Sequence, residues 1–347
     1  AYKKLFEGKH EEVYKNQFNR IKRINNDYTE VVSFDMILNY HQLITKKVAD
    51  LLCGESPKIS ILNKEKQKVL DRILNDNDIF NLMYITTMDV SRYGVGLFYL
   101  YKELNHGVID ITQPHIWFPI VNPRNIRKIR YHVLCIPRTI NDNETELYCE
   151  IHEKGRYTIK YFLVKNGKIV REFTDEKKVI ETGLNDFAII PVTNLTTSDN
   201  IHGISDYDVI DTIVSELEVR FSQISKILDK HAEPSMQGPS SALTYNRETG
   251  TYSLKTGSYF VVEGADGKVS EMSGTLLGDK ENDKGAVSGL AYKLKMESPR
   301  QKVKRIRNSM DTALRKAISL CAKMEGYDID EYELVIEWQD GITTDEK

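Results

Sequence analysis

The sequence predicts an α+β fold, and three features carry that expectation. Residues 39–93 repeat apolar positions with a helical period. From Val95 the period changes from 3.6 to 2, and it stays there through a run of short segments bounded by Gly, Pro or Asn. Between Gly203 and Pro234 lies one long uninterrupted helical pattern. Helices followed by strands, without alternation of the two, point away from βαβ units.

In chain order, residues 8–25 read as a polar helix and 39–53 as an amphipathic one ended by Gly54. A short strand follows at Lys58–Leu62. Residues 64–75 and 77–93 are two further helices, the second with Gly94 where a left-handed C-terminal cap belongs. The segments GLFYLYKEL, GVIDITQ, IWFPIV, IRKIRYHVLCIP, ELYCEIHE, RYTIKYFLV and KIVREFT then predict an antiparallel meander of about seven strands. One of its turns falls at Asn166-Gly167. Residues 187–196 are one more apolar strand. After Pro234 a loop-rich stretch leads to a strand pair in TYSLKTGSYFVVEGADGKV, turning at Thr256-Gly257 or Gly264–Gly267. Residues 275–289 form a polar, Gly-bearing loop. A second long helix runs from about Leu290 to Met324 and should bend before Pro299. A strand at Tyr332–Trp338 follows.

The helix of 203–234 places Ile210, Val214, Leu217, Phe221, Ile224 and Leu228 at intervals of four and three. That is a narrow seam, close to the spacing of a coiled coil. Ser205 and Asp208 form a capping-box start, and Pro234 supplies the stop. A helix of some 26 residues is a rod of roughly 40 Å. It is either a long core helix or a rod that packs beside similar rods, and the polar flanks of the seam favour the second.

The 347 residues suit about two domains. A charged content of 29 % with net charge −3 is ordinary for a soluble chain. No apolar run approaches the ~18 residues of a membrane span, and the first residues carry no apolar signal segment. Cys53, Cys135, Cys149 and Cys321 stand apart in sequence, which suggests unpaired thiols in a reducing compartment.

Catalytic, cofactor and metal motifs fail on spacing. Glu263–Lys268 is not a phosphate loop, because Val269 occupies the Ser/Thr position. Asp279, Glu281 and Asp283 precede a glycine one place too late for a calcium loop, and Leu290 stands where the closing carboxylate belongs. The histidines lack zinc spacing, and Gly285–Gly289 has one residue too many for a nucleophile elbow. No enzyme, cofactor or metal is therefore expected. Charge remains. Lys293, Lys295, Arg300, Lys302, Lys304, Arg305, Arg307, Arg315 and Lys316 are opposed only by Glu297 and Asp311, about +7 on one helix. This is either a solvated or paired face, or a helix beside a polyanion.

The order of segments KVADLLCGESP (47–57), a strand-rich middle, HGISDYDVIDTIVSELEVRFSQISKILDKHAEP (202–234) and VSGLAYKLKMESPRQKVKRIRNSM (287–310) resembles the portal protein of tailed double-stranded DNA bacteriophages, of the long-tailed, Gram-positive-phage type. The G-x-S-D start, the H-A-x-P end and the S-G-x-A-x-K helix start are the specific pieces. The resemblance implies a wing in 1–204, a stem helix in 205–232, a clip in 233–268 and a channel-loop region in 269–289. The basic kinked helix and closing strand in 290–347 would complete the wing. It implies a ring of about twelve copies closed by rotation, with the seam residues as subunit packing. Lys280, Asn282 and Lys284 would face DNA, and Lys293, Lys295, Arg300, Lys304 and Arg307 would make up the basic helix. The implied partners are double-stranded DNA without sequence preference, the terminase large subunit, a head-completion or adaptor protein, and the major capsid and scaffolding proteins. The implied location is the portal vertex of the virion, after assembly in the bacterial cytoplasm. A structural ring or adaptor of a phage head or tail is the alternative, and a nucleic-acid enzyme using residues 291–316 a more distant one. Two departures stand out. The resemblance implies a second stem helix returning from the clip, for which Val269–Leu277 leaves no room. SEMSGTLLG reads as the last turn of a helix whose beginning is cut away, so residues are expected to be missing between Ala265 and Ser273. The helical crown implied beyond Asp340 does not follow.

Overall fold

The computed structural model describes residues 1–14, 37–141, 143–232, 236–238, 244–246, 251–253, 259–261, 270–271 and 289–339. The chain forms two compact units. The first comprises Ala1–Glu7, Asn39–Ile210 and Leu290–Lys347, the second Gly8–Leu38 and Asp211–Gly289. The predicted helix of 8–25 is described only at its start, as α2 (His10–Val13); its remainder lies outside the described residues.

The first unit opens with α1 (Tyr2–Phe6) and continues with α3 (Tyr40–Cys53), α4 (Lys64–Asp76) and α5 (Ile79–Tyr93). The caps are those the sequence signals. The Asn39 side chain accepts from the Gln42 N–H at 3.1 Å, and Asn63 accepts from Glu65 and Lys66 at 2.9 and 3.3 Å. Gly94 takes φ 83° after α5, the left-handed turn that a side chain resists.

The strands divide into two sheets instead of one seven-stranded meander. β2 (Val95–Glu103) is the centre of a three-stranded sheet, flanked by β3 (His106–Thr112) and β9 (Ile189–Thr193). The other five strands, β4 (Trp117–Asn122), β5 (Asn125–Asn141), β6 (Glu144–Glu153), β7 (Arg156–Lys165) and β8 (Lys168–Glu181), form an antiparallel meander in chain order. The division follows from burial. β2 is apolar on both faces, with Val95, Leu97, Phe98 and Leu100 almost fully buried, so it needs a partner on each edge. The equally apolar β9 returns along the chain to supply one. Its Pro191 lacks an N–H and is tolerated because β9 is an edge strand. The Asn166-Gly167 turn joins β7 and β8 as predicted, with φ 51° and 74°.

α7 (Gly289–Met324) runs through Pro299. Val303, Ile306, Met310, Leu314, Ala317 and Cys321 on one of its faces are buried in the main core, among residues of α3, α4, α5 and β2. Here the helix expected for its charge is first of all a core helix. β15 (Val335–Glu337) closes the unit by pairing antiparallel with β1 (Lys58–Ser60).

In the second unit, the strand pair predicted within 251–269 is replaced by different partners. β11 (Thr244–Asn246) pairs with β12 (Thr251–Ser253). β13 (Tyr259–Val261) lies parallel to β10 (Met236–Gly238), whose other edge takes β14 (Ser270–Glu271). Period-2 patterning marks a strand without naming its neighbour. Ser270 and Glu271 are therefore strand, where the sequence reading expected the last turn of a returning helix. The break expected between Ala265 and Ser273 otherwise falls outside the described residues.

Candidate functional site

The long helix is α6 (Asp206–Ala232), two residues short of Pro234. Its start is fixed within the first unit by the residues of the G-x-S-D motif. Gly203, at φ 77°, lies so close to Gly94 that a Cβ on it would stand 2.3 Å from the Gly94 carbonyl oxygen. The Asn194 N–H donates to that same oxygen at 2.9 Å. Ser205 caps the helix, its Oγ accepting from the Tyr207 N–H at 3.0 Å and donating to the Arg92 carbonyl at 2.7 Å. The predicted capping box is half made, because Asp208 accepts from the Tyr2 hydroxyl. Asp206 takes the first helical position, where the helix dipole favours an anion. It accepts from Ser91 Oγ at 2.5 Å, Asn194 Nδ2 at 2.8 Å and Lys302 Nζ at 2.5 Å. Three separate elements thus meet on one carboxylate.

Beyond Ile210 the helix belongs to the second unit. One face there is taken by the N-terminal segment of the same chain. Glu218 and His10 are both fully buried, with Oε1 and Nδ1 2.6 Å apart, and the Leu38 N–H donates to the same oxygen at 3.0 Å. The Tyr14 hydroxyl donates to Asp211 at 2.5 Å, and burial together with that carboxylate pushes its pKa upward. Ser215, Val219 and Ser222 complete this buried face.

The predicted seam is split by this arrangement. Val214 is buried and Ile210 half-buried. Leu217, Phe221, Ile224 and Leu228 remain 37 to 50 % exposed, and Val209 and Ile213, which the seam did not include, are 69 and 61 % exposed. The helix therefore shows an apolar stripe to solvent along most of its length. The Glu216–Arg220 ion pair beside it is exposed on both sides and contributes little.

The basic residues of α7 separate into two groups. Lys302 is paired with Asp206, Arg315 with Asp311 and Lys316 with Asp186. Arg307 stacks on Trp338 and donates to the Gln339 carbonyl at 3.2 Å. Arg300, Lys304 and Arg305 have no charged partner among the described residues. The side chains of Lys293 and Lys295, and all of Lys280, Asn282 and Lys284, lie outside the described residues. A cleft of about 560 Å³ between the 183–186 loop and α7 holds Lys316 against Asp186, so that charge is already balanced. Among the described residues no cluster of His, Cys, Asp and Glu is suited to a metal, and no helix is long and apolar enough to cross a membrane.

Sequence reading missed Asp206 as the joint between elements, and it missed the meeting of Cys135 with Cys149. The second was within reach. Antiparallel pairing of IRKIRYHVLCIP with ELYCEIHE places these two opposite each other.

The α+β chain built this way carries a rod whose second face is left apolar and open. It belongs to the phage portal protein family: residues 2–237 match the family described as phage portal protein, SPP1 Gp6-like. That family is a structural one, and its members are virion components. Among solved structures, the chain is similar to one in the virion of a native gene transfer agent particle. The identity is 9 %, the cover 87 % of this chain and 81 % of that one, and the TM-score 0.42. A second, from the neck of an empty particle of the same kind, shows 10 % identity, 87 % and 80 % cover and a TM-score of 0.34. No curated protein matches.

Proposed function

We propose that the protein forms the ring-shaped DNA channel at one vertex of a phage-type capsid. Through that ring the genome is packaged and ejected, and on it the terminase motor and the tail adaptor dock. The observation that carries this reading is the exposed stripe Leu217, Phe221, Ile224 and Leu228, on a helix whose opposite face its own chain already fills. A family of virion subunits supplies the context. An apolar stripe on one rod is covered by the neighbouring rod when copies are related by rotation, and such contacts close into a ring of about twelve.

In this reading residues 1–204 and 290–347 are the wing, 205–232 the stem, 233–268 the clip and 269–289 the channel-loop region. Lys280, Asn282 and Lys284 approach passing DNA and make transient, sequence-independent phosphate contacts. Arg300 and Lys304 add positive charge. The remaining partners are the major capsid and scaffolding proteins, and the site of action is the portal vertex of a particle assembled in the bacterial cytoplasm. ATP turnover is the terminase's, and the ring has none of its own.

Electron microscopy of the purified protein tests the ring. The wild type should give closed rings with a central channel. Leu217→Asp with Phe221→Asp should give folded protomers that no longer assemble. Rings of normal size from that variant overturn the assignment of the stripe.

A further inference from the structure

Cys135 on β5 and Cys149 on β6 are partners in the antiparallel register, and their sulfur atoms lie 3.2 Å apart. Residues directly opposed in such a pair have Cα atoms about 4.5–5.5 Å apart, inside the range of about 4.4–6.8 Å over which a disulfide closes. The backbone is thus already placed for an S–S bond. All four thiols are free in this structure. Cys149 is buried and Cys135 half-buried, so Cys135 is the more accessible residue of the pair.

The two thiols are also unequal. The hydrogen bond between them lowers the pKa of Cys135; the same contact, with burial, raises that of Cys149. Because Cys135 is the less buried of the two, it is the one suited to meet a reagent first and Cys149 the one suited to resolve. Cys53 and Cys321 offer a contrast. Burial pushes their thiols up to about 11 and about 12, and each faces an oxygen, Thr87 Oγ1 and the Gly107 carbonyl.

We propose that Cys135 and Cys149 are a cross-strand dithiol that closes to a disulfide on meeting a peroxide or a small disulfide, stapling the β5–β6 hairpin once the particle has left a reducing cytoplasm. The timing rests on the portal reading; the chemistry of the pair does not. With a peroxide, the Cys135 thiolate attacks one oxygen, the O–O bond breaks, and a sulfenic acid forms while the first water leaves. The Cys149 sulfur then attacks the sulfenic sulfur, the S–O bond breaks, and the second water departs with the Cys149 proton. Two thiols lose two electrons and two protons, and the peroxide becomes two waters. With oxidised glutathione, the Cys135 thiolate attacks one glutathione sulfur, the S–S bond breaks and one reduced glutathione leaves. The Cys149 thiolate then attacks the Cys135 sulfur of the mixed disulfide and releases the second.

The full-length chain, purified reduced, is treated with hydrogen peroxide or with oxidised glutathione, denatured, and assayed for free thiols and by peptide mass mapping. Thiols should fall from four to two per chain, with the Cys135 and Cys149 peptides joined at the cost of two hydrogen atoms. Cys149→Ser should trap glutathione on Cys135, a species the wild type does not accumulate. Cys135→Ser should slow modification of Cys149 by at least about tenfold. Four remaining thiols, or a lasting glutathione adduct on wild-type Cys135, overturn the pair. In a second arm, thiols are alkylated at harvest in infected cells and in released particles. The pair should be open in the cells and closed in the particles, and an open pair in particles overturns the stapling. Neither arm depends on the ring count, so failure here and failure of the portal reading are told apart.

Discussion

His132 shows how a buried ring can make folding depend on pH. It is 2 % exposed, and its Nδ1 accepts from Trp117 Nε1 at 3.1 Å, so the neutral form with its proton on Nε2 is the one that fits. Burial is the main reason its pKa falls to about 3, and His152 and Lys316 nearby add to the shift. The folded pKa lies below the ordinary 6.5, so the unfolded chain takes up a proton that the folded one refuses. The contribution is complete above pH ~6.5 and is lost as pH falls toward 3, at up to ~1.4 kcal/mol per unit. Urea unfolding between pH 6.5 and 4.5 should show this slope, and His132→Gln should flatten it while lowering stability at neutral pH. An unchanged slope in the variant would remove His132 as its source. None of this was legible in the sequence, which offers only single, scattered histidines. The burial of His132 depends on the pairing of β4 with β5.

At the scale of elements, α6 shows what hydrophobic spacing can and cannot say. Its existence, extent and stop were legible, because period, capping serine and proline are local signals. Which face lies inside was not. The buried face carries Ser215, Glu218 and Ser222, and the Oε1 of Glu218 meets His10, 208 residues earlier in the chain. The apolar stripe faces outward. A rule that turns hydrophobic residues inward assumes that the chain itself covers them, which fails when the polar face is the one that finds partners. The strand partners in 236–271 were illegible for a related reason, since several short strands of equal pattern admit several pairings. The His10–Glu218 pair can be weighed by a double-mutant cycle. His10→Ala leaves the buried carboxylate with only the Leu38 N–H among the described residues and should cost on the order of 3 kcal/mol. Glu218→Gln in the same chain should restore part of that loss. Strict additivity of the two substitutions would show that the residues do not interact.

At the scale of the whole molecule, two surfaces obey different physics, and salt separates them. The stripe on α6 is apolar, so association through it gains from water release and is not weakened by screening. In the proposed portal role, contacts of Arg300, Lys304, Lys280 and Lys284 with DNA would be made to phosphates. They would weaken steeply as salt rises, because bound counterions are released on binding. Between 0.1 and 1 M salt the screening length falls from ~10 to ~3 Å. In the higher salt the ring should therefore stay intact by sedimentation while retention of a linear duplex is lost, whatever the duplex sequence. Arg300→Ala with Lys304→Ala should make retention less sensitive to salt and leave sedimentation unchanged. Rings that fall apart at high salt would mean that ionic contacts join the subunits, and the α6 stripe would need another occupant. The net charge of −3 sharpens the expectation. A chain that is acidic as a whole repels DNA at long range, so any retention must come from local basic groups, and those are the groups that salt and substitution address.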